Sequence, residues 1–182
     1  EIQRAEGALQ EMIGAKSLDD FEESWKGFLH RLERTWNKTK AHYGKSPKWS
    51  NWSSEFERLR RDDQLLSYLI NARGAEEHTV NEIVEREPGG IAIKAGPTGS
   101  VHIRSMKIST DGIHLDASAP VIVEFIAART RLLPVLNRGR QYPVPTQHLG
   151  MPIDPSNVVA LAAAGIEFYK RRSEERRVGK EC

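Results

Sequence analysis

The chain has 182 residues and a formal net charge of +2, from 27 Lys+Arg against 25 Asp+Glu. An apolar content of 38% with 14 glycines excludes a chain disordered throughout. No run nears the roughly 18 apolar residues that a membrane span needs, and EIQRAEGALQ at the start holds no apolar signal core. The expected residence is therefore the cytoplasm. The chain does not open on Met, so we expect a native N-terminal segment to precede it.

Residues 1–87 read as a helical bundle. Ile2, Leu9, Met12 and Ile13 recur at helical spacing. Ser17 followed by Asp20 is an acidic variant of the capping box and predicts a helix start. Phe21, Trp25, Phe28, Leu32 and Trp36 then form one apolar stripe, and Gly44 is the expected C-cap. KSPKWSNWSS (45–54) reads as a loop, with Ser53 or Ser54 capping a third helix. Phe56, Leu59, Leu65, Leu66, Leu69 and Ile70 line that helix, with a break at Asp62 and Asp63, and a short fourth helix follows Gly74 with Val80 and Ile83 buried.

Pro88-Gly89-Gly90 ends the helical half, and the apolar period changes to two. IAIKA (91–95) and VHIR (101–104) alternate around GPTGS, which predicts a hairpin with Ile93 opposite Ile103 and Ala95 opposite Val101. Asp111-Gly112 predicts a second hairpin, with Lys107 opposite Asp116 and Ile108 opposite Leu115. VIVEFIA after Pro120 completes an antiparallel meander of four strands over 91–135. Residues 137–155, with four prolines, read as a long ordered loop. Asp154 caps a last helix with Pro155 at its first position. The helix VVALAAAGIEFY is apolar nearly all round and is expected to bury itself against the sheet or a partner.

The whole is an α+β chain: a helical bundle over 1–87, then a four-stranded antiparallel sheet, a Pro-rich loop and one buried helix over 88–171. The remaining residues, 172–182, end in RSEERRVGKEC, which resembles a translated sequencing adaptor. The resemblance implies a non-native tail and a native chain cut near Arg171. The only cysteine, Cys182, lies in that tail, so neither a disulfide nor a Cys-based zinc site is expected.

Several side-chain groups can carry chemistry. RRDDQLLSYLINARGAEEH (60–78) holds Arg73 and His78 at an Arg-x4-His spacing in an all-helical region. Here the chain resembles the HEPN superfamily of helical-bundle proteins, many of them metal-independent endoribonucleases of toxin–antitoxin and defence systems. The resemblance covers 17–87. It implies that His78 acts as acid/base on an RNA 2′-hydroxyl, while Arg73 stabilises phosphate charge at a dimer cleft. Gly74 departs from the polar residue usual there. The plainer alternative is that Arg73 pairs with a carboxylate and His78 ends a helix. In the loop, Arg138, Arg140, Tyr142 and His148 form a candidate anion or nucleotide contact, unless the segment only packs over the sheet. Trp49 and Trp52 beside Lys45 and Lys48 either stack on bases or anchor the core.

No His/Asp/Glu cluster has metal-ligand spacing, so neither metal nor cofactor is expected. The aromatic stripe and apolar last helix offer more surface than a small bundle buries. The leading expectation is therefore a non-catalytic, oligomerising or interaction protein. Its partner is itself or another protein, with no membrane contact. The alternatives are a HEPN-like ribonuclease acting on RNA and a small-ligand binder using the 137–150 loop.

Overall fold

The computed structural model describes residues 1–78, 83–97, 99–126 and 128–178, with the side chains of 76–78 and 173–178 outside the described set. It is α+β, and its chain divides into two compact units, Glu1–Arg86 with Thr130–Cys182 and, separately, Glu87–Arg129. The first unit holds the five helices, α1 (Ile2–Gly14), α2 (Leu18–Tyr43), α3 (Trp49–Asp62), α4 (Gln64–His78) and α5 (Val158–Val178).

The Ser17 cap forms as its sequence predicts: Asp20 N–H donates to Ser17 Oγ at 3.0 Å. The α2 stripe Phe21, Trp25, Phe28, Leu32 and Trp36 is buried throughout. On α1 the inward face is Ala5, Ala8 and Met12, with Ile2 and Leu9 at its margin, whereas Ile13 is 57% exposed. Small residues there let α1 lie close to α2 and α5.

Three helix boundaries differ from expectation. α3 begins at Trp49, so 49–54 is helix rather than loop, and Ser53 is buried within it. Trp36, Trp49, Trp52 and Phe56 explain this: their rings stack at 4.8–6.5 Å, and helical spacing is what presents the last three to Trp36. The break at Asp62 and Asp63 is present, and Asp63 caps α4 through Leu66 N–H at 3.0 Å. α4 then runs unbroken through Gly74 to His78; the expected burial of Val80 falls outside the described residues, and buried Ile83 leads into a strand. α5 is capped by Asn157, whose Oδ1 accepts from Ala160 N–H at 2.9 Å, while Asp154 closes a turn onto Ser156. Its apolar face packs on helices: a Cβ at Gly165 would lie 2.7 Å from Leu69 Cδ1.

The strands are β1 (Val84–Glu87), β2 (Gly90–Ala95), β3 (Ile103–Ser109), β4 (Gly112–Ala117), β5 (Val121–Ile126), β6 (Arg129–Leu132), β7 (Val135–Asn137), β8 (Arg140–Tyr142), β9 (Gln147–His148) and β10 (Met151–Pro152). They form two-stranded pairs, β1 with β6, β2 with β5, β3 with β4, β7 with β8 and β9 with β10. The expected four-stranded meander is therefore corrected. Ile93 lies opposite Val123 and Ala95 opposite Val121, not opposite Ile103 and Val101. The chain rises through β2 and β3, turns once at Thr110-Asp111 and returns through β4 and β5. The result is one nested antiparallel ribbon.

Nesting wins because it pairs more. It places Ile91 and Ile93 opposite Phe125 and Val123 on one face and a Lys94–Glu124 ion pair on the other. The local meander would have matched two apolar pairs only. Within GPTGS, of which Thr98 lies outside the described residues, Gly99 has φ +77° and its N–H donates to Gly96 O, and β2 leads on to β3 without pairing with it. At the tip, Ser109 pairs with Gly112 and Ile108 with Ile113, so the hairpin read from Asp111-Gly112 is centred one residue earlier.

The stretch 137–155, read as a loop, contains two tight hairpins. Arg138 and Gly139 have φ of +50° and +75°, and Leu149 and Gly150 have +49° and +80°. Two consecutive left-handed residues are what a two-residue turn between twisted antiparallel strands requires.

Candidate functional site

Arg73 sits half-buried on α4 and lines a groove of about 610 Å³ with Glu1, Arg4, His30, Arg31, Arg34 and Asn37. The α2 residues recur at steps of three and one, so they fall on one helical face. Glu1 answers part of this charge, with Arg34 at 3.5 Å and Lys38 at 2.6 Å, and these cations hold its carboxyl below the usual range. His78 ends α4, and its side chain lies outside the described residues, as do those of Glu76 and Glu77.

Gly74 has a packing role. A Cβ there would stand 2.6 Å from Asn137 Nδ2, whose amide donates to Asn71 Oδ1 at 2.9 Å. A side chain at 74 would therefore displace the Asn137 amide and its hydrogen bond to Asn71.

The four residues of the 137–150 segment are divided among three places. Arg138 forms the tip of the first hairpin. Arg140 lies 5.2 Å from the ring of Tyr142, and both line a 290 Å³ cavity with Glu33, Glu57, Arg60 and Arg61. His148 borders a second cavity, of 320 Å³, with Leu59, Phe168 and Arg171. Its Nδ1 donates to Asp63 Oδ1 at 2.9 Å, and Leu149 N–H donates to Asp63 Oδ2 at 2.6 Å. Burial works to raise the Asp63 carboxyl, but His148 and the N–H groups of Leu149 and Leu66 outweigh it and hold it below the ordinary value. Asp63 thus joins a helix start to a strained turn.

Sequence reasoning missed a second polar centre. Arg60, buried, donates from Nε to Tyr169 Oη at 2.9 Å and pairs with Glu33, its guanidinium 4.7 Å from the Trp36 ring. Burial pushes the Tyr169 hydroxyl up to about 12, against the pull of Arg60. Trp49, Trp52, Phe56 and Phe168 extend the same stack, so these tryptophans serve the core. A basic residue four positions after Phe56 was the only signal available.

The ribbon unit presents a different surface. On β2 and β5 the pairs Ile91–Phe125, Ile93–Val123 and Ala95–Val121 share one face, while Ile122 and Ile126, 55% and 52% exposed, lie on the other with Lys94. On β3 and β4, Met106–Leu115 and Ile108–Ile113 share a face, while Lys107 and His114 occupy the opposite one. Phe125 is 75% exposed, Ile108 63% and Met106 52%. Three ion pairs, Glu87–Arg129, Lys94–Glu124 and Arg104–Asp116, tie the strands together.

Among the described residues no group of three or more His, Cys, Asp and Glu could hold a metal ion, and no helix is long and apolar enough to cross a membrane. No family model, curated protein or solved structure matches the chain.

Proposed function

We propose that the chain is a non-catalytic interaction protein whose working element is the ribbon Glu87–Arg129. The observation that carries this reading is the exposed apolar face of a two-stranded ribbon, with Phe125, Ile108 and Met106 uncovered. A two-stranded hairpin is marginal in water unless a further strand or packing surface covers it. Contiguous exposed apolar faces mark interaction sites. The helical unit, by contrast, keeps its aromatic residues inside and supplies a stable base.

The test measures solution mass and binding of an apolar-face dye together on the intact chain. The reading expects either an assembly or a monomer that binds dye through the ribbon, with binding lost in Ile108→Ser/Phe125→Ser. A monomer that binds no dye overturns it.

A second reading, a HEPN-like ribonuclease, draws support from the placement of Arg73 in a groove shared with Arg4, His30, Arg31 and Arg34. Guanidinium groups converging on one groove suit phosphate. Here His78 would move the proton and Arg73 would hold the phosphate. RNA cleavage in EDTA, lost by about 100-fold or more in His78→Ala and in Arg73→Ala, is the expected result. Full-rate cleavage by both variants, or none by the intact chain, removes this reading.

A further inference from the structure

We infer that the groove lined by α1, α2 and α4 is a binding site for a ligand carrying two or more linked phosphates. It lies wholly within the helical unit, so it is independent of the ribbon and goes beyond the interaction reading. Charge is the first argument. Arg4 on α1, Arg31 and Arg34 on α2 and Arg73 on α4 bring four guanidinium groups to one groove, with His30 beside them. The lining carboxylates are Glu1 and Glu33, and Glu33 is already paired with the buried Arg60. Glu1 alone therefore faces Lys38 at 2.6 Å, Arg34 at 3.5 Å and Arg4 at 3.7 Å. Arg31 reaches Glu11 only at 3.9 Å, and the Glu11 side chain is 61% exposed, so water screens that pair. One carboxylate does not neutralise three cations, and a surplus of positive charge stays in the groove.

The second argument is that the groove already accommodates an oxyanion. The Glu1 side chain is only 5% exposed, its carboxylate seated among Arg4, Arg34 and Lys38. The Arg4 and Arg34 side chains are themselves 70% and 62% exposed, so their outer edges remain open to a ligand from solvent. Gly27 adds to the shape: a Cβ there would lie 3.3 Å from Arg31 Nη1, so the missing side chain lets that guanidinium lie along α2 at the groove.

Chemistry then selects the ligand. A guanidinium fork pairs with two phosphate oxygens at once. Guanidinium groups carried by three helices call for a ligand whose negative charge is likewise spread over several groups, and linked phosphates supply that. The groove volume of about 610 Å³ lies within the range of about 300–1,000 Å³ usual for small-ligand sites. Two sources share this chemistry, a free nucleotide polyphosphate and the backbone of an RNA strand. The site needs no proton transfer by His78, so it stands whether or not a strand is cut.

Calorimetric titration of the full chain at low salt with tripolyphosphate, ATP and a short oligoribonucleotide tests the proposal. Saturable binding of one ligand per chain is expected. Arg31→Gln/Arg34→Gln should weaken it by at least about tenfold, because each lost guanidinium–phosphate contact removes a charge-assisted hydrogen bond. The two side chains are 37% and 62% exposed, so circular dichroism should show the fold intact. Lys48→Gln/Arg58→Gln removes the same charge from residues that do not line the groove and should change affinity by less than about twofold. Saturation by tripolyphosphate and ATP identifies a free polyphosphate as the ligand, and saturation by the oligoribonucleotide alone identifies the strand backbone. Absence of saturable binding by all three overturns the proposal. So does equal weakening by the two double substitutions, which would reduce the effect to diffuse surface charge. Binding without RNA cleavage removes the ribonuclease reading and leaves this site in place, while failure to bind leaves the ribbon's interaction reading untouched.

Discussion

Trp36 in the helical unit and Phe125 in the ribbon carry similar hydrophobic payloads and meet opposite environments. Trp36 is buried beneath three aromatic rings and a guanidinium, whereas Phe125 is 75% exposed. Fully burying such a side chain contributes about 1.5–3 kcal/mol, so one unit has collected this stabilisation and the other holds it in reserve. The contrast follows from geometry. Five helices can surround a common core, but two strands have two faces and no second layer.

Removing the ribbon tests this comparison most severely. β1 and β6 pair, and the Glu85–Arg131 ion pair and the Leu133 N–H to Ile83 O bond bring the two chain crossings together. Replacing 87–129 by Asn-Gly should therefore close a hairpin. We expect the helical unit to keep its circular dichroism and melting temperature within a few degrees while binding of the apolar-face dye disappears. Loss of the helical fold would show that the two units are not separable.

Arg60→Ala attacks the stable unit instead. It leaves the Glu33 carboxylate and the Tyr169 hydroxyl without their shared cation, and breaking a buried pair of this kind costs about 3 kcal/mol. Arg60→Lys should recover only part, because an ammonium cannot serve both partners and the Trp36 face. Chemical denaturation reads both.

Asp63→Asn should cost about 1–2 kcal/mol, since two acceptors for Leu66 and Leu149 N–H and for His148 become one. The pH dependence has a definite sign. The folded Asp63 carboxyl titrates below its unfolded value of about 3.9, so its stabilisation is complete above that value. It is lost as pH falls through the lower folded value. Asp63→Asn should flatten this acid limb of the stability curve, and an unchanged limb would show that other carboxylates control it.

The smallest effect is a gain. Leu149 and Arg138 hold positive φ, at a cost of about 1 kcal/mol each for a residue with a Cβ. Arg138→Asn and Leu149→Asn should each raise stability by up to about 1 kcal/mol, a shift of roughly 2–4 °C. Arg138→Asn also separates roles: unchanged behaviour in every binding assay would leave Arg138 a turn residue only.

The elements were more legible in the sequence than their partners. The Ser17 cap, the α2 stripe, the break at Asp62-Asp63 and the alternation of Ile91 with Ile93 are short-range signals, and each appears in the structure. The hairpins at Arg138-Gly139 and Leu149-Gly150 escaped notice because their first turn residues are not the Asn or Asp that advertise such turns. In the candidate sites, Arg73 was visible as a residue, but its groove was not. Its neighbours Arg4, His30 and Arg31 come from helices distant in sequence.

Amino-acid order by itself determined the apolar stripe of α2, its Ser17 cap and the change of period from helix to strand near Pro88. Those properties depend on interactions within a few residues. Only the tertiary structure decided that β2 pairs with β5 across 30 or so positions, that α5 packs on helices, and that Arg60 lies beneath Trp36. Closing a longer loop costs only about (3/2)RT ln n, so a distant register that pairs more apolar residues overrides a nearby hairpin. The choice rests on a sum over both strands that no single segment contains.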